Sequence, residues 1–378
     1  MSAPKYRKAV VGEVVNDVGN WSMNTLCLTG DINNDGRVDI VVSGRNGKIV
    51  WLENNGSLEN WTPHVIGDAV NVECGGVVYD FEGRGFPDIV VGGDARSDEL
   101  TLWRNPGNTG GPWQRYVIVK TGHTQFHDVA VGDVTGDGTL SLVFWNNRSQ
   151  SLHRIPVPAD VTACPWPSME TIAAGKAVNG LPEEGLVIAD LDGDGKQEIV
   201  AGTHWYKYTG DERQPWEGHP FASGYITTKI AVGDLDGDGK PEIVLSEGDA
   251  CIYGKPEGGR LAYFKQKEDI RGMWDEVVID DCLYDPHTLH LADLCGNGRL
   301  DILVGEIGIK AEYEVKKPRI FLYANEGDGR FARTVIDEGT GTHNASLVDV
   351  FGRGTLDIVG RPLHGNERWN VHLFVKEA

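Results

Sequence analysis

A short aspartate-rich segment recurs seven times along this chain of 378 residues, and no other feature of the sequence limits its fold as strongly. One copy reads GDINNDGRVDIVVSG from Gly30, and another reads GDLDGDGKPEIVLSE from Gly233. The leading aspartates, which follow one another at intervals of 44 to 59 residues, are Asp31, Asp80, Asp133, Asp190, Asp234, Asp293 and Asp349. A repeat of this length indicates a solenoid or a propeller rather than several unrelated domains.

Each repeat carries the signals of four short strands around this turn. A short apolar run precedes the turn, and a β-branched run such as Ile40–Val42 follows it. A third run is rich in aromatic residues, as in Lys48–Leu52, and a fourth usually ends in Val-Ile, as in Trp61–Ile66. Four short strands per repeat are typical of propeller blades, so we expect an all-β fold, a seven-bladed β-propeller.

The two ends of the chain are expected to share the last blade. The seventh repeat has only three strands, the last at Asn370–Val375, whereas Tyr6–Val11 reads as a fourth strand displaced to the N-terminus. Pairing these strands would close the ring and remove the exposed sheet edges. We therefore expect residues 1–378 to form a single propeller domain whose last blade is closed by the N-terminal strand.

The charge of the chain limits its partners. Lys and Arg total 35 and Asp and Glu total 56, which gives a net charge of −21 and argues against binding nucleic acid or an anionic membrane surface. We find no signal-peptide core and no apolar run long enough for a membrane span. The six cysteines show no C-x-x-C pair, so we expect reduced thiols and a cytoplasmic protein. Export after removal of a signal segment stays open.

Three of the seven turns carry a full set of oxygen ligands. The pattern D-x-[DN]-x-D-G-x-x-[DE] brings carboxylate and amide oxygens together, calcium takes about 6–8 oxygens, and the glycine permits the sharp turn. The three sets are Asp31, Asn33, Asp35 and Asp39; Asp190, Asp192, Asp194 and Glu198; and Asp234, Asp236, Asp238 and Glu242. We expect structural calcium in these turns, each of which joins the first strand of a blade to the second.

The other four turns depart from this pattern. The third repeat has Thr135 and Ser141 at ligand positions, and the sixth has Cys295, which suits a hard cation poorly. The second and seventh repeats carry Arg84 and Arg353 instead of the third ligand. We expect each guanidinium to replace a cation by pairing with nearby carboxylates, namely Asp80 and Asp88 or Asp349 and Asp357.

Histidines recur at one position of the repeat. In a propeller the first strand of each blade lines the central channel, so residues six positions before the leading aspartate should lie about 20 Å away, at the opposite end, at about 3.3 Å per residue. These residues are Thr25, Cys74, His127, Glu184, Thr228, His287 and His343. Three histidines and a glutamate at one offset predict a shared polar pocket.

The turns between the second and third strands should emerge at the same end. Their polar and aromatic residues are Arg45, Arg96, Arg148, His204, Trp205, Tyr206, Glu247, Glu306, Arg361 and His364. Trp205 and Tyr206 are equally consistent with a sugar-stacking surface and with core packing. A histidine cluster with one carboxylate can hold a transition metal such as zinc or manganese, or it can transfer protons near neutral pH.

The seven turns resemble the FG-GAP/VCBS repeat family, and three further stretches resemble one branch of it. The stretches are EEGL from Glu183 with GTHWY from Gly202, PHTLH from Pro286, and THN from Thr342. That branch consists of seven-bladed carbohydrate C–O lyases, including rhamnose–glucuronate lyases and the propeller part of aldos-2-ulose dehydratase. The resemblance implies β-elimination on a carbohydrate that contains a uronate or a keto sugar.

The pocket residues can be given roles in such a reaction. We expect His127, His287 or His343 to move the protons and Arg45, Arg361 or a divalent metal held by the His/Glu pocket to stabilise the anion. Residues expected to bind or orient the substrate are Glu184, His204, Trp205, Tyr206, Arg96, Arg148 and His364. A non-catalytic propeller that binds a glycan or a protein is the alternative. Glycoside hydrolysis is a third, since Glu184 with Glu247 or Glu306 would supply two carboxylates.

Overall fold

The computed structural model describes residues 4–16, 23–178, 180–307 and 317–377. These residues form seven four-stranded antiparallel sheets, a two-stranded ribbon and one turn of 3₁₀ helix at Gly107–Thr109. The all-β, seven-bladed prediction is confirmed. The described residues contain no helix with the length and apolarity that a membrane span requires.

The strands follow the chain blade by blade. The N-terminal strand β1 is Tyr6–Glu13. Blade 1 consists of β2 (Met23–Gly30), β3 (Asp39–Arg45), β4 (Gly47–Glu53) and β5 (Thr62–Val70). Blade 2 consists of β6 (Val72–Tyr79), β7 (Asp88–Gly93), β8 (Glu99–Arg104) and β9 (Gln114–Lys120). Blade 3 consists of β10 (Phe126–Gly132), β11 (Ser141–Asn146), β12 (Ser151–Pro156) and β13 (Glu170–Ala173).

The remaining strands continue in the same order. The ribbon consists of β14 (Ala177–Val178) and β15 (Leu181–Pro182). Blade 4 consists of β16 (Leu186–Ala189), β17 (Glu198–Ala201), β18 (His204–Tyr208) and β19 (Trp216–Pro220). Blade 5 consists of β20 (Thr228–Gly233), β21 (Glu242–Glu247), β22 (Gly259–Lys265) and β23 (Asp275–Leu283). Blade 6 consists of β24 (Pro286–Ala292), β25 (Asp301–Glu306), β26 (Arg319–Gly327) and β27 (Arg330–Glu338). Blade 7 combines β28 (Ser346–Val348), β29 (Asp357–Gly360) and β30 (Asn370–Lys376) with β1.

The first strand of each blade lies next to the axis of the ring. Each first strand contacts the first strand of the next blade, in the order β2, β6, β10, β16, β20 and β24, and β28 contacts β2. Each Asp turn joins a first strand to a second strand and therefore lies at one end of the ring. The residues that begin the first strands lie at the opposite end, which we call the mouth.

The N-terminal strand closes the ring as expected. Strand β1 pairs antiparallel with β30, from Tyr6 opposite Lys376 to Glu13 opposite Asn370. Val11 is fully buried in the apolar core between blades 7 and 1, whereas its neighbour Val10 is 41% exposed. Apolar clusters of this kind fill the spaces between neighbouring blades, so the ring depends on contacts between blades as well as on strand pairing.

The Asp turns are held by their own carboxylates. The two side-chain oxygens of Asp31 accept hydrogen bonds from the backbone N–H groups of Asp35 and Gly36, at 3.0 and 2.9 Å. The buried carboxylate of Asp39 accepts from the N–H of Ile32 at 3.0 Å. The backbone turns through a left-handed residue, which is Gly239 at φ 87° in blade 5. Only glycine adopts this angle without strain, which explains why all seven turns have a glycine at this position.

Candidate functional site

Three imidazoles and one carboxylate meet at the mouth, although they come from different parts of the chain. His127 and His287 are the second residues of β10 and β24, whereas Glu184 and His343 shortly precede β16 and β28. The ring centroids of His127 and His287 are 5.6 Å apart, and those of His287 and His343 are 4.1 Å apart. We call these four residues, all of them buried, the histidine cluster.

A β-bulge in β10 brings two successive side chains to the cluster. The pairing with β11 shifts between His127 and Val129, and Asp128 lies at φ 43°. Successive side chains of a regular strand point to opposite faces, but here Nδ1 of His127 bonds to Oδ2 of Asp128 at 2.7 Å. The ammonium of Lys229, from β20, lies 3.3 Å from the other Asp128 oxygen. Strained backbone of this kind concentrates at functional sites.

The neighbours of each ring determine which imidazole nitrogen carries the proton. Nδ1 of His127 faces a carboxylate, Nδ1 of His287 faces the backbone carbonyl of His343 at 2.9 Å, and Nδ1 of His343 faces the carbonyl of Thr25 at 3.1 Å. Because the nearest partner of each Nδ1 is an acceptor, with the Lys229 ammonium farther from Nδ1 of His127 at 3.5 Å, Nδ1–H donates in each ring and Nε2 keeps its lone pair. The cluster therefore has three unprotonated Nε2 atoms, of which that of His127 faces the thiol of Cys74.

Burial and charge keep the imidazoles neutral. Burial, followed by the positive charge of Lys229, lowers the pKa of His127 to about 4. The same two causes hold the pKa values of His287 and His343 well below the usual range. Burial opposes ionisation of Lys229, but the acidic groups around it, of which Asp128 acts most strongly, together outweigh burial and raise the lysine pKa above its ordinary value. Unprotonated imidazoles thus stand beside an ammonium that stays charged.

Glu184 has one satisfied and one unsatisfied oxygen. Its Oε1 accepts a hydrogen bond from Asn147 at 2.8 Å, whereas its buried Oε2 accepts none from the described residues and lies 3.4 Å from Nε2 of His127. Burial, followed by the charge of Asp249, raises the pKa of Glu184 well above its usual range. Cys74 lies on the other side of His127, with its Sγ 2.9 Å from Nε2.

Three of the predicted arginines lie on turns at the mouth. Arg45 bonds to the buried carboxylate of Glu73 at 2.5 Å, and Arg96 bonds to Asp94 at 2.5 Å. Arg148 is exposed. The mouth therefore has cationic groups, two of which are held by acidic neighbours, around the buried histidine cluster.

Arg361 does not reach the cluster with its side chain. The residue is 1% exposed, and its guanidinium donates to the backbone carbonyls of Val14 at 2.8 Å and Arg368 at 3.3 Å. His364, in the loop that follows, is half-buried. The structure therefore gives Arg361 contacts that hold the join between blade 7 and the N-terminal segment rather than contacts at the predicted pocket.

Trp205 and Tyr206 are core residues. They are 1% and 3% exposed, and the Trp205 ring packs against His219 with centroids 4.3 Å apart. Of the two readings that the sequence allowed, core packing is the one observed. His204 is half-buried, with Nδ1 3.1 Å from the hydroxyl of Thr203.

The carboxylates needed for glycoside hydrolysis are engaged elsewhere. Glu247 is buried and pairs with Lys255 and with Arg260, the latter at 3.2 Å. Glu306 is buried and pairs with Arg319 at 2.9 Å. Neither is a free second carboxylate for Glu184.

Several polar residues of the mouth were missed by the sequence analysis. Asp128 and Lys229 directly follow the positions at the six-residue offset, so a search that included the next residue would have found both. Tyr253, in the loop after β21, is 44% exposed, and burial followed by the charge of Asp249 raises its pKa to about 12. The N–H of Gly248, in the same loop, donates to the carbonyl of Thr227, the residue before β20, so this loop lies at the mouth.

The family comparison agrees with the repeat. The model of the FG-GAP-like repeat matches residues 31–91, 80–144 and 190–245. This chain carries FG-GAP-like repeats. The matched turns belong to blades 1 to 5 of the propeller, and the same Asp turn recurs in blades 6 and 7. No curated protein sequence matches the chain.

Solved structures share the fold of this FG-GAP-like propeller at low sequence identity. The V. cholerae biofilm matrix protein Bap1 is 11% identical with a TM-score of 0.56, over 99% of this chain and 91% of Bap1. Rhamnogalacturonan lyase YesW is 14% identical with a TM-score of 0.54, over 98% of this chain and 76% of YesW. BBS1N in complex with ARL6DN is 11% identical with a TM-score of 0.56, over 100% of this chain and 98% of BBS1N. These similarities concern the fold alone.

The histidine cluster of this FG-GAP-like propeller has the donors of a transition-metal site. One ligand atom from each of His127, Glu184 and His287 lies within 4.8 Å of the other two. Oε2 of Glu184 accepts no hydrogen bond from the part of the chain that the structure describes, and the tautomers leave Nε2 of both histidines free of a proton. Two imidazoles and a carboxylate suit zinc or manganese.

The arginine-containing FG-GAP-like turns meet the expectation in part, because each guanidinium pairs with one of the two aspartates named above. Arg84 lies 2.7 Å from the buried carboxylate of Asp88, and Arg353 lies 2.8 Å from that of Asp357. The leading aspartates Asp80 and Asp349 bond instead to backbone N–H groups of the turns. The guanidinium therefore pairs with the fourth ligand position and not with the first.

Proposed function

We propose that this protein is a carbohydrate C–O lyase that performs β-elimination on a substrate containing a uronate or a keto sugar. The observation that supports it most is the juxtaposition at the mouth of imidazoles, whose Nδ1 atoms face acceptors, and the ammonium of Lys229, which pairs with Asp128. In β-elimination a base removes the proton next to a carbonyl or carboxylate, a carbon–carbon double bond forms, and the bond to the leaving oxygen breaks. The reaction therefore needs a base, a cation and an acid.

The base is an imidazole of the cluster. The hydrogen bonds of His287 and His343 to backbone carbonyls fix the rings with Nε2 unprotonated. Their low pKa values keep this nitrogen free at neutral pH, so no proton has to leave before catalysis. A positioned general base contributes roughly 10²–10⁴-fold to the rate.

The cations act on the charge that develops as the proton leaves. Lys229 stays protonated because Asp128 holds its ammonium, and Arg45 is fixed by Glu73. Such preorganised cations stabilise an enolate-like anion and bind a sugar carboxylate before the reaction. His127, Glu184 and His287 would also hold a divalent ion, which when bound would polarise the acid group of the substrate.

The leaving oxygen takes a proton from an acid at the mouth. Tyr253 is suited to this role because its hydroxyl, with a pKa of about 12, carries its proton at neutral pH and its side chain is partly exposed. Glu184 and His204 remain candidates for orienting the substrate.

A panel of uronate-containing and keto-sugar oligosaccharides tests the proposal. Wild type should produce an unsaturated sugar, visible as a rise in ultraviolet absorbance. His343→Gln and Lys229→Met should each lower kcat by at least about 10²-fold. His123→Gln, at an exposed histidine in a loop near β10, is the matched control and should keep full activity. Folding of each variant is checked by circular dichroism.

A binding function is the second candidate, since Bap1 and BBS1N share the fold. Binding of a glycan by wild type without any unsaturated product, unchanged in both variants, would favour that alternative.

A further inference from the structure

The Asp turns of blades 4 and 5 contain the donor set that FG-GAP-like repeats would offer to calcium, but the strand register brings a lysine to each set. Ile199 pairs with Tyr206, so Glu198, the fourth ligand of the blade 4 turn, lies opposite Lys207 of β18. In blade 5 Ile243 pairs with Phe264. The same register can be followed in every blade. From blade 1 to blade 7, the residues opposite the fourth ligand are Glu53, Arg104, Pro156, Lys207, Lys265, Ala324 and Val375, so the lysines belong to blades 4 and 5.

In blade 4 the ammonium lies among the carboxylates. Nζ of Lys207 is 2.8 Å from Asp194 and 3.3 Å from Glu198, and it also contacts Asp192. The three turn aspartates of this blade have ligand atoms within 4.8 Å of one another. One nitrogen that contacts three of the four ligand side chains occupies the region in which a calcium ion would need 6–8 oxygens at about 2.3–2.6 Å.

Blade 5 has a lysine at the same register, and its ammonium forms an ion pair with one of the turn carboxylates. Nζ of Lys265 contacts Asp236, whose ligand atom is grouped with those of Asp234 and Asp238. The charge of Lys265 acts on the buried carboxylate of Glu242 as well. Calcium could enter either turn only by displacing a lysine that the strand pairing holds in place.

Blade 1 is different at the same register. Glu53 replaces the lysine, and its Oε1 accepts a hydrogen bond from Asn33 at 3.3 Å. A further carboxylate adds an oxygen donor and negative charge instead of a cation. Arg37 pairs with Asp35 at 3.2 Å, but from the solvent side, with a side chain 54% exposed.

We propose that the ammonium groups of Lys207 and Lys265 permanently replace calcium in the turns of blades 4 and 5. Of the three complete donor sets, only the blade 1 turn then keeps the capacity for an ion. The arginines of blades 2 and 7 use the same principle from a different position, because they come from the turn itself. Four of the seven blades thereby carry their own cation, and their stability does not depend on calcium supply.

Calcium counting tests this inference independently of the lyase activity. Protein freed of metal with a chelator is dialysed against calcium, and bound ions are counted. Lys207→Met and Lys265→Met should each raise the count by one. Each should also lower the melting temperature in chelator and recover it with calcium. Lys196→Met and Lys240→Met are matched controls on the same turns, since neither lysine forms an ion pair among the described residues. Both controls should leave the calcium count and the response of the melting temperature to calcium unchanged.

A second pair of variants keeps the test decisive if a lysine variant does not fold. Asp194→Asn and Asp238→Asn should leave the calcium count of the protein unchanged, whereas Asp35→Asn in blade 1 should remove any calcium that wild type binds. A wild-type count of three, or a count that falls with Asp194→Asn or Asp238→Asn, would overturn the proposal.

Discussion

The imidazole rings of His287 and His343 stack with centroids 4.1 Å apart and an interplanar angle of 21°, although 56 residues separate them in the chain. The Nδ1–H of His287 donates to the backbone carbonyl of His343, and the Nδ1–H of His343 donates to that of Thr25. Blades 6, 7 and 1 are thereby connected at the mouth. The same bonds that join the blades leave the Nε2 atoms available for chemistry.

Lys229 should control the protonation of the whole histidine cluster. Its charge lowers the pKa values of His127, His287 and His343, so Lys229→Met should raise all three. Histidine NMR signals titrated with pH measure this directly. Lys176→Met is the control, because the charge of Lys176 acts on His204 and should raise the pKa of that histidine while leaving those of the three cluster histidines unchanged. Unchanged titration of the cluster in Lys229→Met would contradict the electrostatic account.

Zinc binding at the mouth should depend on Glu184. Glu184→Gln keeps the shape of the side chain but replaces a carboxyl group that can lose its proton to bind a metal with an amide that cannot, so zinc affinity should fall at least about 10-fold. Titration calorimetry with zinc, and absorption spectra with cobalt, report the loss without any substrate. Glu183→Gln is the neighbouring control, since Glu183 accepts a hydrogen bond from Thr203 and lies outside the three-residue group. Equal affinity in both variants would exclude the site.

Closure of the ring should make β1 essential for stability. Val11→Ala removes two methyl groups from a fully buried position, and we expect a loss of about 1–3 kcal/mol in the free energy of unfolding. Val10→Ala, one residue away and 41% exposed, should change it by less than about 0.5 kcal/mol. Denaturant unfolding measures both values. A similar small effect in the two variants would show that closure contributes little.

His372 should make the protein less stable in acid. Burial, followed by the charge of Lys8, lowers its folded-state pKa to about 4, whereas an unfolded histidine titrates near 6.5. Because the unfolded state then binds more protons, stability is fully present above about pH 6.5 and is lost as the pH falls toward 4. His372→Gln should reduce the number of protons taken up on unfolding by up to one, and the slope of the free energy of unfolding against pH should fall accordingly. Denaturant unfolding at several pH values checks it, and an unaltered slope would contradict it.

The fold could be predicted because its signals are local. The Asp turn needs a left-handed glycine such as Gly195, at φ 84°, and carboxylates that bind the backbone within a few residues. The offset of six residues also worked, because the rise per residue in a strand is nearly constant. His127 and His287 consequently lie where the sequence analysis placed them.

The rest of the site depends on the direction of side chains, which the repeat does not determine. Trp205 and Tyr206 lie in strand β18 rather than in the turn before it and point between blades, and Arg361 turns toward backbone carbonyls. Asp128 reaches the cluster only because a bulge interrupts the alternation of β10. Lys207 faces its turn because of the register between β17 and β18. This register depends on the length of the loop between the strands and cannot be read from the sequence.

The fate of solvent oxygen tests the central claim most directly. An active oligosaccharide from the uronate and keto-sugar panel is incubated with the protein in water enriched in heavy oxygen, and the products are weighed by mass spectrometry. Elimination predicts an unsaturated fragment and a second fragment, neither of which gains oxygen from the solvent during bond cleavage. A saturated fragment that carries one solvent oxygen would show hydrolysis, and no cleavage of any substrate would leave the histidine cluster without its proposed reaction.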